Sequence, residues 1–270
     1  MRVRMGSARR AGVVIGLLAT MVVTAGCAGL PRPGDGTDAV TGQGTRTVAT
    51  GNTLDQKLPA SAATTRLVDQ DGRAMSLRLL RGRVVVLAPL LTMCQETCPM
   101  TSENLHRAAE AAQADGELSR VVFLEVTVDP QRDTVRRLHD YAKVYGALPH
   151  WRLATGKPAN VIALWNALGV STDKTRPEDT VRDWMTGRLI HDSYEVHHQD
   201  CVMIIDPSGR LRWITVGHPD ARGSRLPESM QKFLTLEGRQ NYAHPGAGGA
   251  DSWTDRDVEQ AVAYVRSLGS

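Results

Sequence analysis

The chain predicts an α/β fold, a central mixed sheet flanked by helices. Three observations carry that expectation. The short apolar runs "RVVVLAPLL" and "RVVFLEVTV" suit strands buried on both faces. Each is followed by a helical pattern, "MTSENLHRAAEAAQA" and "RDTVRRLHDYAKVYG". Near the end of this order, "CVMIID", "PSGR" and "LRWITVG" read as strand, turn and strand.

The other elements fit around these. "TRLVDQDGRAMSL" reads as a hairpin, with Asp71-Gly72 supplying the tight turn. The strand "RVVFLEVTV" is ended by Asp129-Pro130. The helix after it carries apolar residues at Val135, Leu138, Tyr141, Val144 and Tyr145, and Gly146 suits its C-cap. "WRLAT" predicts a short strand, and "PANVIALWNALG" a helix with proline in its first turn. "TDRDVEQAVAYVRSL" predicts an amphipathic terminal helix. This order is that of a thioredoxin-like fold with an N-terminal β-hairpin and a C-terminal helical extension.

The N-terminus reads as an export signal. "MRVRMGSARR" has four arginines and no acid, and the apolar run "AGVVIGLLATMVVTAG" ends at Gly26. The run falls short of the roughly 20 residues that span a bilayer as a helix. The small residues "TAG" before Cys27 resemble a bacterial lipobox, so Cys27 is the expected lipidation site and residues 1–26 the signal peptide. "PRPGDGTDAVTGQGTRTVATGNT" has almost no bulky apolar side chain and cannot offset its ordering entropy by burial. Residues 27–60 are therefore expected to be a flexible tether, and residues 61–270 one domain. The expected location is the extracytoplasmic face of the cell membrane, held by lipid. Formal net charge is +3, and the signal peptide supplies four of the positive charges, so the domain is close to neutral. No basic patch suggests nucleic acid. Aromatic residues make up only 4%, so the core must be mainly aliphatic.

Of four cysteines, Cys27 is assigned to lipid, which leaves Cys94, Cys98 and Cys201. An exported protein usually pairs its cysteines, and an odd one flags a reactive thiol or a metal. Cys94 and Cys98 lie between a buried strand and a helix, where α/β proteins gather reactive groups. A helix start also favours thiolate, so the cysteine nearer to it is expected to have the lower pKa. If both stood on one helical turn, spacing i, i+4 gives a rise of roughly 6 Å, compatible with a disulfide or with chelation of one ion. Two small buried residues are the remaining reading. A thioredoxin-type reductase has two residues between its cysteines and this chain has three, which raises the question of a third ligand. "IHDSYEVHHQDCVMIIDPSGRL" offers His191, His197, His198 and Cys201 just before a strand. One imidazole with two thiolates is a soft donor set suited to copper, whereas zinc usually takes a fourth ligand.

"TMCQETCPMTSENL", "VTVDPQRDTVRRLHDYAKVYG", "WRLATG" and "DSYEVHHQDCVMIIDPSGRL" occur in this order. Together they resemble the Sco (SenC) family of thioredoxin-like, membrane-tethered copper proteins of cytochrome c oxidase assembly, from about Thr64 to Gly217. The resemblance implies copper, as Cu(I) or Cu(II), held by Cys94, Cys98 and His198. The same two cysteines form the implied redox pair, and Asp129 lies at the family's Asp-Pro position. Adjacent imidazoles on a strand face opposite ways, and the register with Tyr194 and Asp206 selects His198 over His197. On the same reasoning Cys201 falls on the face opposite His198. The implied partner is the copper-binding subunit of cytochrome c oxidase, to which copper is delivered or whose centre is maintained. Whether the chain is also an enzyme stays open, the alternatives being a thiol–disulfide reductase of exported cysteine pairs or a redox sensor. The chain departs from the family pattern at "APLLTM", Gln95, His197 and Cys201. Ser171–Arg188 and the chain after Gly217 match less well and are expected to be a partner surface or surface decoration.

Overall fold

The computed structural model describes residues 48, 50–117, 119–176, 180–190, 194–223, 225–244 and 252–269. The signal peptide, most of the tether, Cys27 and His191 lie outside the described residues. Among the described residues no helix is long and apolar enough to cross a membrane.

The elements run in chain order. The first are β1 (Asn52–Lys57), α1 (Ala60–Thr64), β2 (Leu67–Asp69), β3 (Ala74–Met75), a 3₁₀ turn (Leu77–Leu80) and β4 (Val84–Leu90). They are followed by α2 (Cys98–Ala114), β5 (Val121–Thr127), α3 (Val135–Tyr145), β6 (Trp151–Thr155), α4 (Pro158–Ala167) and β7 (Thr172–Thr175). Next come β8 (Val181–Arg182), β9 (Leu189–Ile190), β10 (Glu195–His198), β11 (Cys201–Ile205) and β12 (Arg210–Val216). The last are α5 (Glu228–Gln231), α6 (Leu236–Ala243) and α7 (Asp255–Ser267).

Eight strands form one mixed sheet in the order β1-β12-β11-β4-β5-β6-β2-β3. β4, β5 and β6 are parallel, while β11 runs antiparallel to β4 and β12 antiparallel to β11. This is the thioredoxin-like arrangement that the element order predicts. The hairpin at Asp71-Gly72 forms as expected, and Gly72 takes φ of 79°, a left-handed conformation that costs glycine little.

β4 explains why the sheet is double-sided. Val84, Val86, Ala88 and Leu90 join one apolar cluster, while Val85 and Leu87 join the other. α2, α3 and α7 cover the first face through Met100, Leu105, Leu138, Tyr141, Val258 and Val265. α1 and α4 cover the second through Ala62, Val161, Leu164 and Trp165. Full burial of each large apolar side chain contributes about 1.5–3 kcal/mol.

Two sequence expectations are corrected. The tether does not extend to residue 60: Asn52–Lys57 form β1, paired to β12 with Asn52 opposite Ile214 and Lys57 opposite Arg210. Strand pairing supplies backbone hydrogen bonds that composition alone does not reveal, and Gly51 at φ 76° lets the chain pass against Trp213. Nor is the chain after Gly217 decoration. Trp253 is 1% exposed, α7 buries Val258, Ala261 and Val265, and Thr254 with Asp257 makes a capping box at its start.

One buried carboxylate sits at the sheet's centre. Glu125 on β5 accepts hydrogen bonds from Ser102 Oγ (2.8 Å) and Trp151 Nε1 (2.8 Å), and burial pushes its pKa up to about 7. A raised carboxylate binds its proton more tightly folded than unfolded. Its stabilising contribution is present below the ordinary carboxylate range and is lost as pH rises through about 7. Glu125→Gln is expected to gain stability relative to wild type, by up to about 3 kcal/mol, between about pH 5 and pH 8. Urea unfolding at several pH values measures that difference, and a difference flat with pH contradicts the assignment.

Candidate metal and thiol centre

The cysteine loop follows β4 and is fixed before it reaches the first thiol. Thr92 donates its N–H (3.3 Å) and its hydroxyl to Asp133, which also accepts Thr127 Oγ1 at 2.6 Å. Arg137 lies across this group. Its Nε donates to Thr92 Oγ1, and Nη2 reaches Asp183 Oδ1 and Met93 Sδ, each at 3.0 Å. Trp184 Nε1 donates to the Thr92 carbonyl at 2.7 Å. Burial pushes the Asp133 pKa up to about 6 despite its donors, whereas the Arg137 contacts help to lower that of Asp183 against the effect of burial. Breaking such a buried charged group typically costs about 3–5 kcal/mol, so residues 92–93 are firmly placed.

The chain then turns, with Cys94 N–H bonded to Leu91 O at 3.1 Å, and α2 begins at Cys98. The two cysteines therefore do not share one helical turn: Cys94 stands in the loop and only Cys98 in the helix. Cys98 is buried at 1% exposed and Cys94 is half-buried; no disulfide joins them. Hydrogen bonding from Cys98 favours thiolate on Cys94, helped by the backbone N–H groups of Cys98 and Glu96, and lowers the Cys94 pKa. That shared hydrogen bond, then burial, holds the proton on Cys98 and raises its pKa well above the usual thiol value. The lower pKa therefore falls on the loop cysteine and not, as expected, on the cysteine at the helix start, because the hydrogen bond between the two thiols outweighs the effect of the helix start.

The imidazole comes from β10, which pairs antiparallel with β7, with His198 opposite Thr172. Along β10 the side chains alternate. Val196 and His198 turn inward, His198 with 6% of its side chain exposed. His197 turns outward at 59% exposed and meets Thr175 Oγ1 at 3.0 Å. His198 Nε2 lies 3.3 Å from Cys98 Sγ, 100 positions away in sequence. Cys98, His198 and Asp200 each offer one donor atom, and these atoms lie within 4.8 Å of one another. Cys94 is not part of that triangle and reaches the group through Cys98. Asp129 does not face the thiols. It pairs with Arg132 and accepts Tyr194 Oη at 2.9 Å, which anchors the residue that leads into β10.

Cys201 lies elsewhere. It opens β11 and packs in the same apolar cluster as Cys98 and Val196, so the expectation that it faces away from the site side is incorrect. Strand alternation cannot relate it to His198, because the two residues belong to different strands. Burial, then the charge of Asp200, pushes its pKa up to about 12, which makes it a poor nucleophile.

Three features were invisible to local sequence patterns. Arg137 and Asp183 clamp the loop, and Asp200 faces His198 Nδ1 at 3.7 Å. The third is α6, whose start sits on the loop itself. Gln95 O accepts Thr235 N–H at 3.1 Å, and a Cβ on Gly238 would stand 2.1 Å from that same oxygen. Gly238→Ala is expected to cost about 1–3 kcal/mol of stability and to shift the cysteine loop. Thermal melts and the rate of thiol alkylation at Cys94 measure both effects; unchanged values for both contradict the packing.

The sequence profile described as SCO1/SenC matches residues 56–230. Protein SCO1 homolog 1, mitochondrial, of Arabidopsis thaliana is 29% identical over 116 residues, 42% of this chain and 33% of that protein. Protein SCO2 homolog, mitochondrial, of Bos taurus is 28% identical over 145 residues, 53% of this chain and 49% of its own length. The chain thus spans half or less of these relatives. Among solved structures, Bradyrhizobium japonicum ScoI with copper bound aligns at 22% identity and a TM-score of 0.47, covering 69% of this chain and all of that one.

Proposed function

The chain belongs to the SCO1/SenC family, and on that premise we propose that it carries copper at the outer face of a membrane. We assign Cys94, Cys98 and His198 as ligands and the copper-binding subunit of cytochrome c oxidase as recipient. The observation that carries this reading is the approach of His198 Nε2 to Cys98 Sγ at 3.3 Å. A plain thiol–disulfide reductase does not need a third ligand beside its two cysteines.

The donor set fits the ion. Two thiolates and a neutral imidazole are soft ligands that suit Cu(I) and also accommodate Cu(II). Copper is cargo here, so the protein supplies affinity and presentation rather than turnover. Cys94 is half-buried and is the thiol poised to ionise first, which leaves one sulfur accessible to a recipient. Cys98 and His198 sit deeper and hold the inner side of the site. The polar clamp on Thr92 and the β7–β10 pairing fix the two halves independently, so the ligands are largely in place before the ion arrives.

A second reading, thiol–disulfide exchange, draws support from the unequal thiols. The Cys94 thiolate attacks one sulfur of a partner disulfide and releases the other as thiolate. Cys98 then gives up its proton and attacks Cys94, releasing the second partner thiolate. The partner is reduced and Cys94 and Cys98 become a disulfide. Both activities need a reduced pair, and one chain can perform both.

Anaerobic titration of the reduced full-length chain with Cu(I) against a competing chelator tests the ligand assignment. One ion per chain is expected. His198→Ala is expected to weaken binding by about 10–100-fold or more, and His197→Ala by less than about threefold. Loss of binding in His197→Ala with none in His198→Ala contradicts the register. The anchor is tested at Cys27. Wild type is expected in the detergent phase, and Cys27→Ser in the aqueous phase or uncleaved. A wild-type protein recovered chiefly as an unmodified soluble form contradicts lipidation.

A further inference from the structure

We propose that Asp200 completes a site for a divalent ion, joining Cys98 and His198 as an oxygen donor. The proposal deepens the copper reading, rests on it for Cys94, and adds Asp200 to its ligands. The family pattern assigns its ligands to two cysteines and one histidine; Asp200 is not among them.

The geometry comes first. One donor atom from each of Cys98, His198 and Asp200 lies within 4.8 Å of the other two, a triangle that one ion can span. Asp200 Oδ1 is 3.7 Å from His198 Nδ1, beyond hydrogen-bond reach, and among the described residues no protein donor hydrogen-bonds this carboxylate. Its backbone is held in place, since its carbonyl accepts Gly217 N–H at 3.3 Å. The short link Gln199–Asp200 between β10 and β11 sets the side chain beside the imidazole.

Charge gives the direction. Among the described residues no lysine or arginine pairs with Asp200. A site that holds two thiolates and a carboxylate carries three formal negative charges. A monovalent ion leaves two of them in a part-buried place, while a divalent ion leaves one. Unpaired buried charge is costly, so the carboxylate favours the divalent ion. Oxygen is also a hard donor, unlike the thiolates that suit Cu(I). With Cys94 supplied by the copper reading, the sulfur, nitrogen and oxygen donors number four, the count that zinc-class ions take. The residue at position 200 thus biases a soft copper site toward M(II), either Cu(II) or a zinc-class ion.

The test uses the reduced full-length chain and two probes, Cu(I) and Co(II), the second reporting thiolate ligation by its absorption. Wild type, Asp200→Asn, Asp200→Ala and His198→Ala are titrated anaerobically against competing chelators, with circular dichroism as the folding control. Both Asp200 variants are expected to weaken Co(II) by about tenfold or more and Cu(I) by less than about threefold, whereas His198→Ala weakens both. Co(II) binding indifferent to Asp200, or equal losses for both ions, overturns the proposal. The outcomes separate it from the copper reading. Wild type that takes Cu(I) but whose Co(II) binding ignores Asp200 keeps copper and loses this site. Wild type that takes Co(II) through Asp200 and His198 but not Cu(I) does the reverse, and a chain that takes neither ion overturns both.

Discussion

The site depends on one feature of the sheet: β11 runs antiparallel to β4. Their register sets Met203 opposite Leu87 and Ile205 opposite Val85. Moving toward the start of β11 therefore means moving toward the end of β4. The loop that leaves β4 and the strand that enters β11 must meet at the same end of the sheet, and so Cys98 and His198 approach across 100 positions. A parallel β11 would put its entry at the opposite end, and no local adjustment would bring the imidazole back. The parallel neighbour β5 completes the arrangement, since its Thr127 pairs with Leu90 and the chain beyond it brings Asp133 to Thr92 and Asp129 to Tyr194.

Topology brings the halves together, and side chains set their final positions. On the cysteine side, Asp133 and Arg137 hold Thr92 and Met93 in a buried group that is nearly saturated with hydrogen bonds. Leaving a member unpaired would cost more than the group contributes when complete. On the histidine side, β7 fixes the face of β10, and Asp129 and Arg132 hold Tyr194 just before it, with Arg132 4.3 Å over the tyrosine ring. The thiols between these two anchors then divide their work. Cys94 accepts the hydrogen bond of the Cys98 thiol and is the readier to ionise, while Cys98 holds its proton more tightly.

Much of this was readable from sequence because the signals were local. Apolar runs such as Val84–Leu90 and Val121–Thr127 need only their own composition to announce buried strands. The inward face of His198 was expected from its register with Tyr194 and Asp206; within β10 it is alternation with Val196 that sets it, since Asp206 lies beyond the next strand. What could not be read depends on contacts between distant segments. The β1 strand lies in a polar, glycine-flanked stretch and is formed by its pairing to β12, not by its own propensity. Arg137 and Asp183 look like solvated charges until the fold sets them 3.0 Å apart. Gly238 looks like a weak point in a short helix until Gln95 is placed against it. Asp200 carries no local signal beside the more conspicuous histidines, and its proximity to Cys98 exists only in three dimensions.

The central claim is that two thiols and one imidazole about 100 positions apart in sequence act on a single ion. X-ray absorption at the copper edge of the Cu(I)-loaded full-length protein measures that most directly. The account predicts a first shell of two sulfurs and one nitrogen, with the outer-shell scattering of an imidazole ring that disappears in His198→Ala. A shell of sulfur alone, or one of nitrogen and oxygen without sulfur, would contradict it.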